Sequence, residues 1–139
     1  SRFQMGKGVT LREGSDVTII ATGILVYEAV LAAEALAAEG ISTRVINIHT
    51  IKPLDRELVV KAAKETGALV TAEEHSVIGG LGAAVAEAIG EECPVPVVRI
   101  GIKDSFGHSG KGGELLKEYG LCSENIAAEA KRALALKTK

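Results

Sequence analysis

The chain has 139 residues and a formal net charge of −2, a balance that argues against nucleic acid as its main partner. Hydrophobic residues make up 47% but aromatics only 3%, so the core of a single globular domain must be built from Ala, Val, Ile and Leu. No apolar run approaches the roughly 20 residues that span a bilayer, and no membrane partner is expected.

Residues 1–8 read as a linker remnant and 9–139 as one domain. The start Ser1-Arg-Phe-Gln-Met5 lacks an initiator Met and reads as a piece of something longer. Val9 to Arg12 is a short alternating run closed by Glu13-Gly14, a turn signal. Val17 to Ala21 is continuously apolar, the mark of a strand buried on both faces. Thr22-Gly23 breaks it. Ile24 to Glu39 then has helical spacing and is closed by Gly40. Thr43 to Ile48 is the next strand. Asp55 is a good N-cap for a helix stopped by Gly67.

Ala68 to Thr71 is a strand, and Gly82 to Ile89 a helix ended by Gly90. Val95 to Ile100 is a strand whose Pro96 suggests an edge position. Gly113 to Tyr119 reads as a short helix, and Ser123 caps a final one through about Leu136. Strands alternating with helices mean a mainly parallel sheet with helices on both faces. The tight connection Glu13-Gly-Ser-Asp16 suggests that the first strand pairs antiparallel with the second.

Several chemical motifs nearly match, and the misses decide. Gly80-Leu-Gly82 opens a helix after a strand, but Val85 stands where a dinucleotide fingerprint needs its third glycine. Gly107 to Gly112 has the air of a phosphate loop, yet Ser105 and Gly112 break the Walker pattern. Lys111 breaks the nucleophile-elbow pattern. His49, His75 and His108 have no metal-ligand spacing. His75-Ser76 beside Glu73 and Glu74 is a poor triad, because adjacent residues rarely point at one another. Cys93 and Cys122 form no CxxC pair and read as reduced thiols of a cytoplasmic protein.

The most informative stretch is Thr71-Ala-Glu-Glu-His-Ser-Val-Ile-Gly-Gly-Leu-Gly82. It joins a strand to a helix through an acidic turn and a glycine-rich entrance. Bare N–H groups meet polar side chains there, at the kind of place where open α/β sheets bind things. Thr22, Gly23, Glu73, Glu74, His75, Gly79, Gly80 and Gly82 are the candidate ligand or interface crevice. Asp104, Phe106 and His108 are a candidate interface loop, with Phe106 anchoring either on its own core or on a partner.

Five stretches, taken in order, resemble the C-terminal domain of transketolase. They are Gly6 to Gly14, Asp16 to Gly23, Val45 to Asp55 with its Pro53-Leu-Asp55, Glu73 to Gly82, and Ile102 to Gly110 with Leu115-Leu-Lys-Glu-Tyr-Gly-Leu121. Related domains occur in deoxyxylulose-phosphate synthase and 2-oxoacid dehydrogenase β subunits. The resemblance implies a three-layer α/β/α fold. Its five-stranded mixed sheet has the order 1-3-2-4-5, with strand 1 antiparallel.

It also implies a part in two-carbon ketol transfer between sugar phosphates, with the remaining transketolase domains as partners and a homodimer as the assembly. Thiamine diphosphate and magnesium are implied for the complete enzyme. None is expected to be bound by this domain, because the family's Gly-Asp-Gly motif does not occur here. No catalytic residue carries over. Two other classes are a stand-alone small-molecule-binding module using the crevice, and a small serine hydrolase using Ser76 or Ser109.

Overall fold

A computed structural model describes residues 7–49, 54–76, 80–102 and 121–137. The described elements are strands β1 Val9–Arg12, β2 Val17–Ala21, β3 Thr43–Asn47, β4 Leu69–Ser76 and β5 Val97–Ile102. The helices are α1 Leu25–Ala38, α2 Arg56–Thr66, α3 Leu81–Ile89 and α4 Ser123–Leu136. The expected helix over Gly113–Tyr119 lies outside the described residues.

The five strands form one mixed sheet in the order β1-β3-β2-β4-β5. β2 runs parallel to β3 and β4, β4 parallel to β5, and β1 antiparallel to β3. The sheet order implied by the family resemblance therefore holds. Pro96 also marks an edge strand, as expected.

The sheet is covered on both faces. Val17, Ile19 and Ala21 of β2 pack with the buried side chains of α1 and α4, whereas Ile20 packs with those of α2 and α3. The alternation follows from the two-residue period of a strand. β2 is buried along its whole length, which is why its sequence is an unbroken apolar run.

The helix ends follow their punctuation. At the end of α1, Gly40 adopts φ 81° and donates its N–H to Ala37, while Ile41 donates to Leu36. These are the two bonds of a Schellman motif, with Ile41 as its apolar partner on the core. Asp55 caps α2 by accepting from the Leu58 N–H at 3.3 Å. Its second oxygen accepts from Gly8 at 2.9 Å, so the residue before β1 is tied to the start of α2. Ser123 is not a cap: it is the first residue of α4, and no side chain of the chain's preceding residue, Cys122, caps the helix. Instead the Ser123 N–H donates to Glu28 of α1 at 2.8 Å.

The expected neighbour of β1 is corrected. β1 pairs with β3, not with β2. The four residues between β1 and β2 cross the start of β3 instead of folding into a hairpin. Spanning two strand spacings of about 4.8 Å each is within the reach of four extended residues. The crossing is close and well bonded. A Cβ on Gly14 would lie 2.2 Å from the Thr43 carbonyl carbon and 2.3 Å from the Arg44 nitrogen. Arg44, only 8% exposed, donates from Nε to the Gly14 carbonyl at 3.1 Å and pairs with Glu65 at 2.8 Å. Ser42 and Asp16 exchange two further hydrogen bonds.

These geometries separate two glycines. Gly14→Ala drives a methyl into backbone that cannot yield, and the expected loss is about 3 kcal/mol or more. Gly40→Ala meets open space and suffers only the left-handed backbone, about 1–2 kcal/mol. Urea unfolding of both variants checks the order, and a Gly14 variant as stable as the Gly40 variant contradicts it.

Candidate functional site

The carboxyl ends of β2 and β4 lie side by side. The Thr22 N–H donates to the Ala72 carbonyl at 3.2 Å, tying the two strand ends together. From there α1 leaves to one face of the sheet and α3 to the other. Two connections that diverge to opposite faces open a crevice between them, the switch point of an open α/β sheet. The candidate residues Thr22, Gly23, Glu73, Glu74, His75, Gly80 and Gly82 all belong to these two connections or to the strand end beside them. Gly79 and the loop residues Asp104, Phe106 and His108 lie outside the described residues, as does Ser109.

Gly23 sits at φ 58°, a conformation that favours glycine, and turns the chain from β2 into α1. The N–H groups of Leu25 and Val26 are satisfied locally by the carbonyls of Thr22 and Gly23. Just beyond, Ile24 is 53% and Tyr27 66% exposed. Ile24 is the N-cap of α1 and has helical backbone angles, so it shares a face with Tyr27 three positions on. Two large apolar side chains are thus presented to solvent beside the crevice.

Glu73 is the decisive residue on the other side, and it points inward. It is 1% exposed. Its two carboxylate oxygens accept hydrogen bonds from the backbone N–H groups of Leu81 at 2.9 Å and Gly82 at 3.0 Å. α3 has Gly80 at its N-cap, which offers no side chain. Glu73 fills that role from the preceding strand. The helix dipole and two charge-assisted bonds offset the cost of burying the carboxylate.

The glycine-rich entrance is therefore served by an internal anion. Of the N–H groups at this entrance, those of Leu81 and Gly82 already meet a carboxylate. The sequence places Glu73 at this end of the sheet but does not reveal its direction. The polar run Glu73-Glu-His-Ser76 suggests a turn after Thr71, whereas the strand continues to Ser76.

Gly82 serves the packing of α3 against the sheet. A Cβ there would lie 2.8 Å from side-chain carbons of Arg99 and 2.9 Å from Thr71 Oγ1. The Thr71 hydroxyl is itself buried with no hydrogen-bond partner. Among the described residues, no group of three or more His, Cys, Asp and Glu is placed to hold a metal ion. No described helix is long and apolar enough to cross a membrane.

The fold defines an open α/β domain in which, at the carboxyl end of the sheet, a buried carboxylate caps the start of α3. The chain belongs to the transketolase C-terminal domain family, which matches residues 6–126. It is 55% identical over 128 residues to a 6-deoxy-6-sulfo-D-fructose transketolase subunit of Clostridium sp. (strain MSTE9), covering 92% of this chain and 40% of that protein. It is 52% identical over 126 residues to a putative transketolase C-terminal section of Methanocaldococcus jannaschii, covering 90% and 39%. The chain thus spans about two fifths of the length of these curated relatives.

A solved split gene transketolase, described as an inactive β4 tetramer, superposes with a TM-score of 0.95 at 53% identity. That match covers 99% of this chain and 45% of the other. A transketolase from Pichia stipitis at 23% identity, with a TM-score of 0.67 over 94% of this chain and 18% of its own, shares the fold.

The geometry of Glu73 predicts how it responds to substitution. Glu73→Ala leaves two buried N–H groups without partners and is expected to cost about 2–4 kcal/mol. Glu73→Gln keeps one acceptor but sets an amide N–H against a backbone N–H, for about 1–3 kcal/mol. Denaturant unfolding measures both. An alanine variant within about 0.5 kcal/mol of the parent would show that the cap carries no weight.

Proposed function

We propose that this chain is the C-terminal part of a thiamine-diphosphate-dependent transketolase. In this reading it supports assembly and dimerisation of an enzyme that transfers two-carbon ketol units between sugar phosphates. It performs no catalysis alone. The observation that carries the reading is the match, over 99% of this chain, to less than half of a split gene transketolase described as inactive in its β4 form. The exposed pair Ile24 and Tyr27 beside the crevice supports a contact surface at that end of the sheet. Residues 1–8 serve as the remnant of a linker, and the cytoplasm is the compartment.

The residues described here do not fit thiamine diphosphate. The N–H groups of Leu81 and Gly82 at the glycine-rich entrance of α3 are taken by Glu73. A diphosphate placed there would face a buried carboxylate instead of free donors. The cofactor and its metal belong to the portion that completes the enzyme. The same closure weakens the alternative of a stand-alone module binding an anionic small molecule at this entrance. Nothing among the described residues favours a serine hydrolase.

The test has two arms. A ligand that binds the folded state raises the melting temperature. Saturating thiamine diphosphate and magnesium should leave that of the isolated chain unchanged, and ketol transfer should be undetectable. Combination with the N-terminal and middle portion of the transketolase should give a stable complex with ketol-transfer activity. Full activity in that portion alone, without binding to this chain, would refute the assembly role.

A further inference from the structure

We infer that the amino end of the sheet carries a ligand site of its own: a cavity between Lys64 and Lys137 that takes a small dianion, inorganic phosphate or a phosphate monoester. It lies at the end of the sheet away from Thr22 and Glu73, and it does not depend on the assembly reading.

The cavity measures about 380 Å³. That is toward the lower end of the volumes that small-molecule sites occupy. The end of α2, the connection that carries Ser15 from β1 to β2, the residues entering β5 and the end of α4 surround it. Pro94 and Pro96 belong to one wall, and their fixed φ angles hold that wall in place.

The uncommitted polar groups on the other walls are of one kind. Glu65 is the sole carboxylate among the described lining residues, and Arg44 holds it at 2.8 Å. The Thr66 hydroxyl is engaged with the Ala62 carbonyl and with the Thr18 hydroxyl, each at 2.8 Å. Lys64 and Lys137, by contrast, form no ion pair among the described residues. The Ser15 hydroxyl makes no hydrogen bond there either. Two ammonium groups and a hydroxyl thus line the space with no anion of the chain's own to bind.

A helix C-terminus attracts cations, and that alone explains Lys64 in the last turn of α2. Lys137 is different. It is the C-cap residue of α4, which packs on the opposite face of the sheet from α2, and it could serve its own helix end without leaving it. Instead its side chain crosses to Gly67, where a Cβ would lie 3.1 Å from Lys137 Cε. Gly67, at φ 77°, has no side chain to obstruct that path. The stem is laid against backbone before any ligand arrives, which lowers the ordering cost of binding. The two helix ends together contribute roughly one negative charge, and the two lysines two positive ones, so the balance in the cavity is positive. A dianion uses both ammonium groups, and lysine serves phosphate as a point charge.

The test is an amide-resolved NMR titration of the full chain with inorganic phosphate and, separately, with glycerol 3-phosphate, at an ionic strength held constant with sodium chloride. Saturable shifts centred on the amides of Gly67, Val95 and Lys137 are expected. Lys64→Gln and Lys137→Gln are each expected to raise the dissociation constant roughly three- to fivefold, and the double variant to abolish saturation. Spectra that match the parent's away from the cavity check that each variant is folded. Tighter binding of the ester assigns the site to a phosphorylated small molecule, and equal binding assigns it to phosphate itself; either upholds the inference. Shifts that fail to saturate, or a dissociation constant unchanged in Lys137→Gln, overturn it and leave the two lysines as counter-charges to the helix ends.

Discussion

The carboxyl end of the sheet depends on burying one carboxylate against the start of one helix. An unpaired carboxylate in a dry interior is too costly to persist. Glu73 is tolerated because α3 presents two N–H groups that would otherwise lack partners, together with the positive end of its dipole. Each side satisfies the other. α3 can therefore begin at a glycine and pack its apolar side chains without a cap of its own. The same arrangement sets the chemistry of the surface, because a helix entrance already holding an internal anion has little to offer an external one.

The other helices repeat the device with variations. α2 is capped locally by Asp55, and the first N–H of α4 is held across 95 residues by Glu28. α1 is the exception. It enters through the Thr22-Gly23 turn, whose carbonyls satisfy the first donors, and it is there that Ile24 and Tyr27 stand exposed. Polar requirements are met from within at these helix starts, which leaves apolar side chains as the distinctive feature of the outer surface near α1.

Much of this was legible in the residues themselves. Unbroken apolar runs marked the strands buried on both faces, and Gly40, Asp55 and Gly67 marked helix ends that the structure retains. The neighbour of β1 was not legible from its connection. A four-residue turn suits a hairpin as well as a crossing. Only the absence of a side chain on Gly14 and the bonds from Arg44 make the crossing over β3 the one that fits. The direction of Glu73 was hidden for a related reason. Its partners are backbone groups, which leave no residue type to read, and its polar neighbours disguised the last turn of a strand. Ser123 misled in the opposite sense: a favourable capping residue sits one position inside the helix, and a distant glutamate does the work.

Asp55 joins parts of the chain that are distant in sequence. One oxygen holds the entrance to β1 at Gly8 and the other holds the start of α2 at Leu58. Fraying of the edge strand therefore releases one arm of a carboxylate whose other arm secures a core helix. Local opening usually proceeds in cooperative units that follow such shared bonds. The amide of Leu58, though deep in the sequence, would exchange with solvent in step with the terminal strand, and the outermost strand and the α2 entrance would behave as a single unit of native-state opening.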